Sequence, residues 1–201
     1  MTSTEPDAAL TGGVSLLERA ITYLLGSLHR IGPDDMSRPT PCGRWDLCAL
    51  LVHVSDSLLT LQEAIGDRSF SSRTRHEPPA TITQLVRTQA TSLLGAWVQA
   101  PGSADLVYVA GGRPVTATLV AATGALELAV HGWDIAQACG AADHPIPALL
   151  ADELLELSAL FVTAAERPGQ FAPPVLVPPA AGPADRLVAF LGRVPLVSSG
   201  R

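Results

Sequence analysis

The segment from Leu126 to Gly140 constrains this chain more than any other. It forms the second half of a long Ala-rich helix that stops at a glycine, a residue common just past helix ends. Glu127 and His131 stand four residues apart, so their side chains leave the same face one turn apart. Val120, Gly124, Ile135 and Ala138 extend that stripe and are all apolar or small, as on a helix face turned to a core. A carboxylate and an imidazole set there cost several kcal/mol unless they are paired or bound. Two readings follow. The pair hydrogen-bonds to itself or lies on a wet face, or it grips a divalent metal, for which two ligands at i and i+4 are a common arrangement.

A second helix lies some seventy residues upstream, in Trp45 to Leu59. His53 sits in its middle among Leu50, Leu51, Val52 and Val54. If the two helices pack side by side, His53, Glu127 and His131 converge and leave coordination positions open, as catalytic sites do. Two imidazoles and one carboxylate suit Zn²⁺ first, then Ni²⁺ or Fe²⁺. The same set occurs in non-haem iron oxygenases, so ligand type alone does not choose the metal.

Pro39-Thr40-Pro41-Cys42-Gly43-Arg44-Trp45-Asp46-Leu47 running into Leu50-Leu51-Val52-His53 resembles the first signature of the DinB/YfiT-like metal-binding superfamily. Glu127-Leu128-Ala129-Val130-His131-Gly132-Trp133-Asp134-Ile135-Ala136 resembles the second. The branch most similar is the actinobacterial one related to the N-terminal domain of mycothiol-dependent maleylpyruvate isomerase. The tail from Phe171-Ala172-Pro173-Pro174-Val175 through Asp185-Arg186-Leu187 to Phe190-Leu191-Gly192-Arg193 is similar to it as well. The resemblance implies an all-α, up-down-down-up four-helix bundle, with His53 on its second helix and Glu127 and His131 on its fourth. It also implies one bound divalent metal and a low-molecular-weight thiol, such as mycothiol, acting on an electrophilic substrate. A metal-dependent thiol transferase or isomerase is therefore expected. A metal-binding protein without turnover and a metal-dependent hydrolase are the alternatives. The full isomerase carries a further C-terminal domain, and this chain is expected to be too short for all of it; Arg186 and Arg193 are given no counterpart in that domain, and the resemblance leaves the substrate open.

The rest of the chain bounds these readings. Apolar residues make up 47% but aromatics only 4%, so the core is built mostly from Ala, Leu and Val, which suits closely packed helices. The net charge is −6 and no stretch concentrates basic residues, which excludes a nucleic-acid groove. All thirteen basic residues are arginine, a codon bias of a GC-rich genome and not recognition chemistry. The polar, acidic start lacks the basic and apolar regions of a signal peptide, and no apolar run is long enough to span a membrane. A cytoplasmic protein is expected, with a homodimer compatible with the bundle form. Cys42, Cys48 and Cys139 fit no zinc spacing, and each is expected as a small buried hydrophobe.

Along the chain, residues 1–11 are expected as a loose tail and 12–201 as a single metal-binding bundle domain. Helices are expected at about Gly13–Ile31, from Trp45 to Gly66, from Thr81 to near Pro101, from Thr118 to Gly140 and at Pro147–Glu166. Residues 67–80 form a polar linker, in which Arg73 and Arg75 are expected as solvated. Residues 106–109 and 113–116 form a small hairpin. A Pro-rich tail ends in a short helix from Pro183 to Leu191. His29 is given a structural role at a helix C-terminus. Ser57 is expected to bond back to its own helix and Asp56 to be solvated. Asp134 is expected as a surface cap or bridge, with support of His131 as the alternative. For Cys42 a reactive thiol would need an accessible, electropositive setting, which Arg44 suggests only weakly.

Overall fold

The structure is a computed structural model and describes residues 5–43, 45–64, 81–99, 106–109, 113–162, 167 and 171–195. Helix α1 spans Glu5–Leu28, α2 Leu47–Ala64, α3 Ile82–Gln99 and α4 Ala117–Ala138. Local signals set their starts. Asp46 Oδ1 accepts from the Ala49 N–H at 2.8 Å, and Thr81 Oγ1 accepts from Gln84 N–H at 3.2 Å. Thr116 Oγ1 caps α4 by accepting from Leu119 N–H. Each is a short polar side chain satisfying a backbone donor that the first turn leaves free.

Helix α1 starts at Glu5, not near Gly13, so its backbone takes in residues 5–11, which were expected in the tail. The apolar spacing that marks the helix begins only near Val14, and the backbone upstream continues the helix through Gly12 and Gly13, which disfavour it. The expected linker at 67–80 lies outside the described residues.

The four helices form the bundle. α1 packs on α3 and α4, and α2 packs on the same two, so α1 and α2 occupy one diagonal. Leu17, Ile21, Leu24 and Leu28 of α1 join Leu50, Leu51 and Leu58 of α2, Leu93 of α3 and Leu128 and Ile135 of α4 in one core. Small residues let α4 lie close to its neighbours. A Cβ on Gly132 would stand 3.1 Å from the Tyr23 ring and 3.3 Å from Leu24 Cα. Close backbones of this kind are what an Ala-rich, aromatic-poor composition can build.

Strands β1 (Leu106–Val109) and β2 (Arg113–Thr116) pair antiparallel, with Leu106 opposite Thr116 and Val109 opposite Arg113. β2 runs directly into α4. Helix α5 (Ala148–Phe161) and helix α6 (Pro183–Phe190) pack on each other. Between them residues 171–178 form neither helix nor strand, and Val175 N–H bonds to Ala189 C=O at 2.9 Å. No helix among the described residues is long and apolar enough to cross a membrane.

Candidate metal centre

Helix α4 is buried on every side through its second half: Leu128 to Ala136 contribute an unbroken run of buried residues. Any polar side chain there must find a partner. α4 and α2 lie against each other, and their contact sets His53 opposite Glu127. His53 Nε2 is 2.6 Å from Glu127 Oε1, and His131 Nε2 is 3.2 Å from the same oxygen. Ser57 Oγ, one turn beyond His53, donates to it at 3.1 Å. One ligand atom from each of His53, Glu127 and His131 falls within 4.8 Å of the other two.

The three are not equally sheltered. The His53 and Glu127 side chains are 36% and 34% exposed, whereas His131 is buried, so the centre opens on the α2 side. Trp45 borders that opening, its ring centroid 4.8 Å from that of His53. The His53 and His131 rings meet edge to face at 5.0 Å.

Behind His131 stands Asp134. The sequence favoured a surface position for it, but Asp134 is fully buried. Its Oδ2 is 3.0 Å from His131 Nδ1 and 3.0 Å from an Arg193 guanidinium nitrogen, while Arg193 Nε reaches Oδ1 at 3.4 Å. The correction has a physical reason. A single apolar stripe implies an opposite wet face, but α4 has none in this stretch: α1 and α2 pack against it, and Arg193 meets Asp134.

Charges in the cluster support one another. Burial opposes the charged form of Glu127, yet hydrogen bonds from His131 and His53 and their charges prevail and hold its carboxyl well below the usual range. Burial likewise opposes protonation of His131, but the bonds to Asp134 and Glu127 overcome it and push its pKa up to about 9. Without a metal, His131 is thus an imidazolium that donates from both ring nitrogens to two carboxylates.

The geometry fits a divalent cation. Tetrahedral ligands about 2.05 Å from a zinc ion stand roughly 3.3 Å apart. The His131–Glu127 separation already matches that spacing, and the 2.6 Å His53–Glu127 pair needs only to open slightly. Asp134 on Nδ1 would leave Nε2 to face an ion held there, the arrangement by which carboxylates orient metal-bound histidines.

A second group, Cys42 with His131 and Asp134, also meets the distance test. Its chemistry differs, because Arg193 already stands there, with one nitrogen 3.7 Å from Cys42 Sγ and 3.0 Å from Asp134. A guanidinium in that place supplies the positive charge a cation would bring. Burial pushes the Cys42 thiol up, and Asp134 adds to this against the opposing effect of Arg193, so Cys42 is not an activated nucleophile.

Other expectations resolve individually. Ser57 bonds to Glu127 across the helix pair and not to its own helix. Asp56 is exposed. His29 Nδ1 contacts Leu25 C=O on an exposed turn, away from the centre. Cys48 is exposed rather than buried, as the second residue of α2 on the helix's outer side. Arg73 and Arg75 lie outside the described residues. Arg193 was missed as a contributor, and no spacing in the sequence points to it.

Two curated relatives cover nearly all of the chain: an uncharacterized protein of Mycobacterium tuberculosis strain CDC 1551 / Oshkosh and one of strain ATCC 25618 / H37Rv. Each is 28% identical over 179 residues, 88% of this chain and 94% of the relative. No solved structure matches the chain. The family model for the mycothiol maleylpyruvate isomerase N-terminal domain matches residues 17–136, more than half of the chain and all three converging side chains. On that match and on the bundle that carries the site, the chain belongs to the mycothiol maleylpyruvate isomerase N-terminal domain family.

Proposed function

We propose that the chain binds one divalent metal ion through His53, Glu127 and His131, Zn²⁺ before Ni²⁺ or Fe²⁺. In this reading it is a metal-dependent transferase or isomerase that uses a low-molecular-weight thiol, such as mycothiol, on an electrophilic substrate. One observation carries the proposal: two imidazole Nε2 atoms meet a single Glu127 oxygen where His53 and Glu127 are one-third exposed. Three protein ligands with an open side are the pattern of a catalytic rather than a structural centre. The family's description names mycothiol, which supports the thiol class.

When bound, the ion supplies a Lewis acid at which a thiol or water loses its proton readily. The chain's own residues supply orientation and charge. Asp134 holds the proton on His131 Nδ1 and so presents Nε2. The Ser57 hydroxyl donates to Glu127 and restrains its carboxylate. Trp45 gives the open side an apolar border beside His53.

Metal analysis of protein purified without added metal tests the first half. Near one divalent ion per chain is expected, lost in His131→Ala while the helical circular dichroism persists. A metal-free wild type that refuses Zn²⁺, Ni²⁺ and Fe²⁺ ends the metal reading. Thiol consumption by the loaded protein, with mycothiol and a panel of electrophiles, tests the second half. A rate no greater than the metal-free background makes the chain a binder without turnover.

A further inference from the structure

Arg193 reaches the centre from a part of the chain beyond the family-matched residues 17–136. Its approach is dictated by backbone. Helix α6 ends in a turn in which Gly192 N–H bonds to Ala189 C=O and Arg193 N–H to Val188 C=O, with Gly192 at φ +83°. A Cβ at Gly192 would lie 2.6 Å from Ala172 C=O, so only glycine fits. The turn delivers a guanidinium that is 8% exposed to a carboxylate that is fully buried. A further nitrogen donates to Leu191 C=O at 3.1 Å, which tethers the guanidinium to its own turn.

A buried ion pair gains little by itself, because the desolvation of both charges offsets their attraction. This pair differs in its third partner. The Asp134 oxygen that takes Arg193 also takes His131 Nδ1, the back of a converging ligand. With neutral imidazoles, Glu127, Asp134 and a divalent ion cancel in charge. The guanidinium leaves the assembly one unit positive. A unit charge in a largely buried site shifts the binding of another charge by roughly tenfold or more.

We propose that Arg193 is a positioning residue that acts through Asp134 to keep the loaded centre net cationic, and so selects an anionic occupant for its open side. The inference rests on the metal reading above and deepens it, from a centre with an open side to a centre that prefers anions there. Candidate occupants by chemistry are a thiolate or a carboxylate.

The test uses the full chain loaded with Co²⁺, whose visible spectrum reports on ligands, and azide as the anionic probe at fixed ionic strength. Arg193→Met is expected to weaken azide about tenfold and Asp134→Asn to tighten it about tenfold. The double variant, which removes both charges, is expected to return within about threefold of wild type. A merely structural pair would not produce that return. Should Arg193→Met fail to fold with a lone buried carboxylate, the Asp134→Asn single variant and the double variant carry the same test. Unchanged azide affinity in Asp134→Asn, or a double variant more than threefold from wild type, overturns the proposal while leaving the metal reading intact. A wild type that takes up no Co²⁺ overturns this proposal, and one that also refuses Zn²⁺, Ni²⁺ and Fe²⁺, or whose uptake survives His131→Ala, overturns the metal reading with it.

Discussion

Glu127 Oε1 is the atom on which the centre converges, and its charge separates a catalyst from a binder. Glu127→Gln keeps the shape but removes one negative charge beside the ion. A thiol held by a more positive ion is a weaker nucleophile. At equal metal loading, thiol transfer is expected to fall about tenfold while the metal content changes little, measured by stopped thiol assays beside metal analysis. Equal rates in the two proteins would remove Glu127 from the chemistry. His131 yields a pH prediction. Its pKa in the folded, metal-free chain is about 9, above the unfolded value near about 6.5. Its proton therefore stabilises the metal-free fold fully below about 6.5, and that contribution is lost as pH rises through about 9. The same proton competes with metal, so apparent affinity is expected to climb about tenfold per pH unit over that window. Chelator competition across the range reads the climb, and thermal melts of the metal-free protein read the loss. An affinity already level at neutral pH would contradict the ion pairing of His131.

At the scale of elements, helix α4 shows how much a pattern reveals and where it stops. Its Glu127–His131 spacing is legible because side chains four apart share a face. Its burial is not, because Ala, Gly and Leu on all sides look alike whether one face is covered or all of them. The turn after α6 is the element that completes the centre, and Gly192 is its test. Gly192→Ala would force a side chain into φ +83° with its Cβ 2.6 Å from Ala172 C=O. Strain and overlap together are expected to cost about 2–3 kcal/mol, read by chemical denaturation. The Arg193 fork should shift with the turn, so the Co²⁺ spectrum of the loaded variant is expected to change as well. A variant as stable as wild type would show that the turn is not so constrained.

For the whole molecule, the fold and the centre are separable. The core runs through Leu17, Leu24, Leu50, Leu58, Leu93 and Leu128, none of which is a candidate ligand. A chelator is therefore expected to lower the melting temperature without removing the helical signal. The size of the shift follows mass action: at free metal about a hundred times Kd, metal adds about 2.7 kcal/mol. Loss of helix on chelation would instead mark the metal as a structural staple. The uncovered side of the centre gives the same prediction a second reading, since an ion reached through one-third exposed ligands should exchange with added chelator without global unfolding.

His53, Glu127 and His131 were legible in the sequence as residues that could converge, as were helices α2, α3 and α4. Those features depend on spacing, caps and composition, which act over a few residues and survive in a linear string. Asp134, Ser57 and Arg193 were not legible in their roles. Each is defined by a contact across the fold: Ser57 to Glu127 over seventy residues, and Arg193 to Asp134 over fifty-nine. A polar residue's partner is set by which helix faces are covered, and only packing decides that. The sequence determined that a carboxylate and two imidazoles must find company. The tertiary structure decided that they find one another, with a buried arginine behind them, because α4 is enclosed and the turn after α6 brings Arg193 to Asp134.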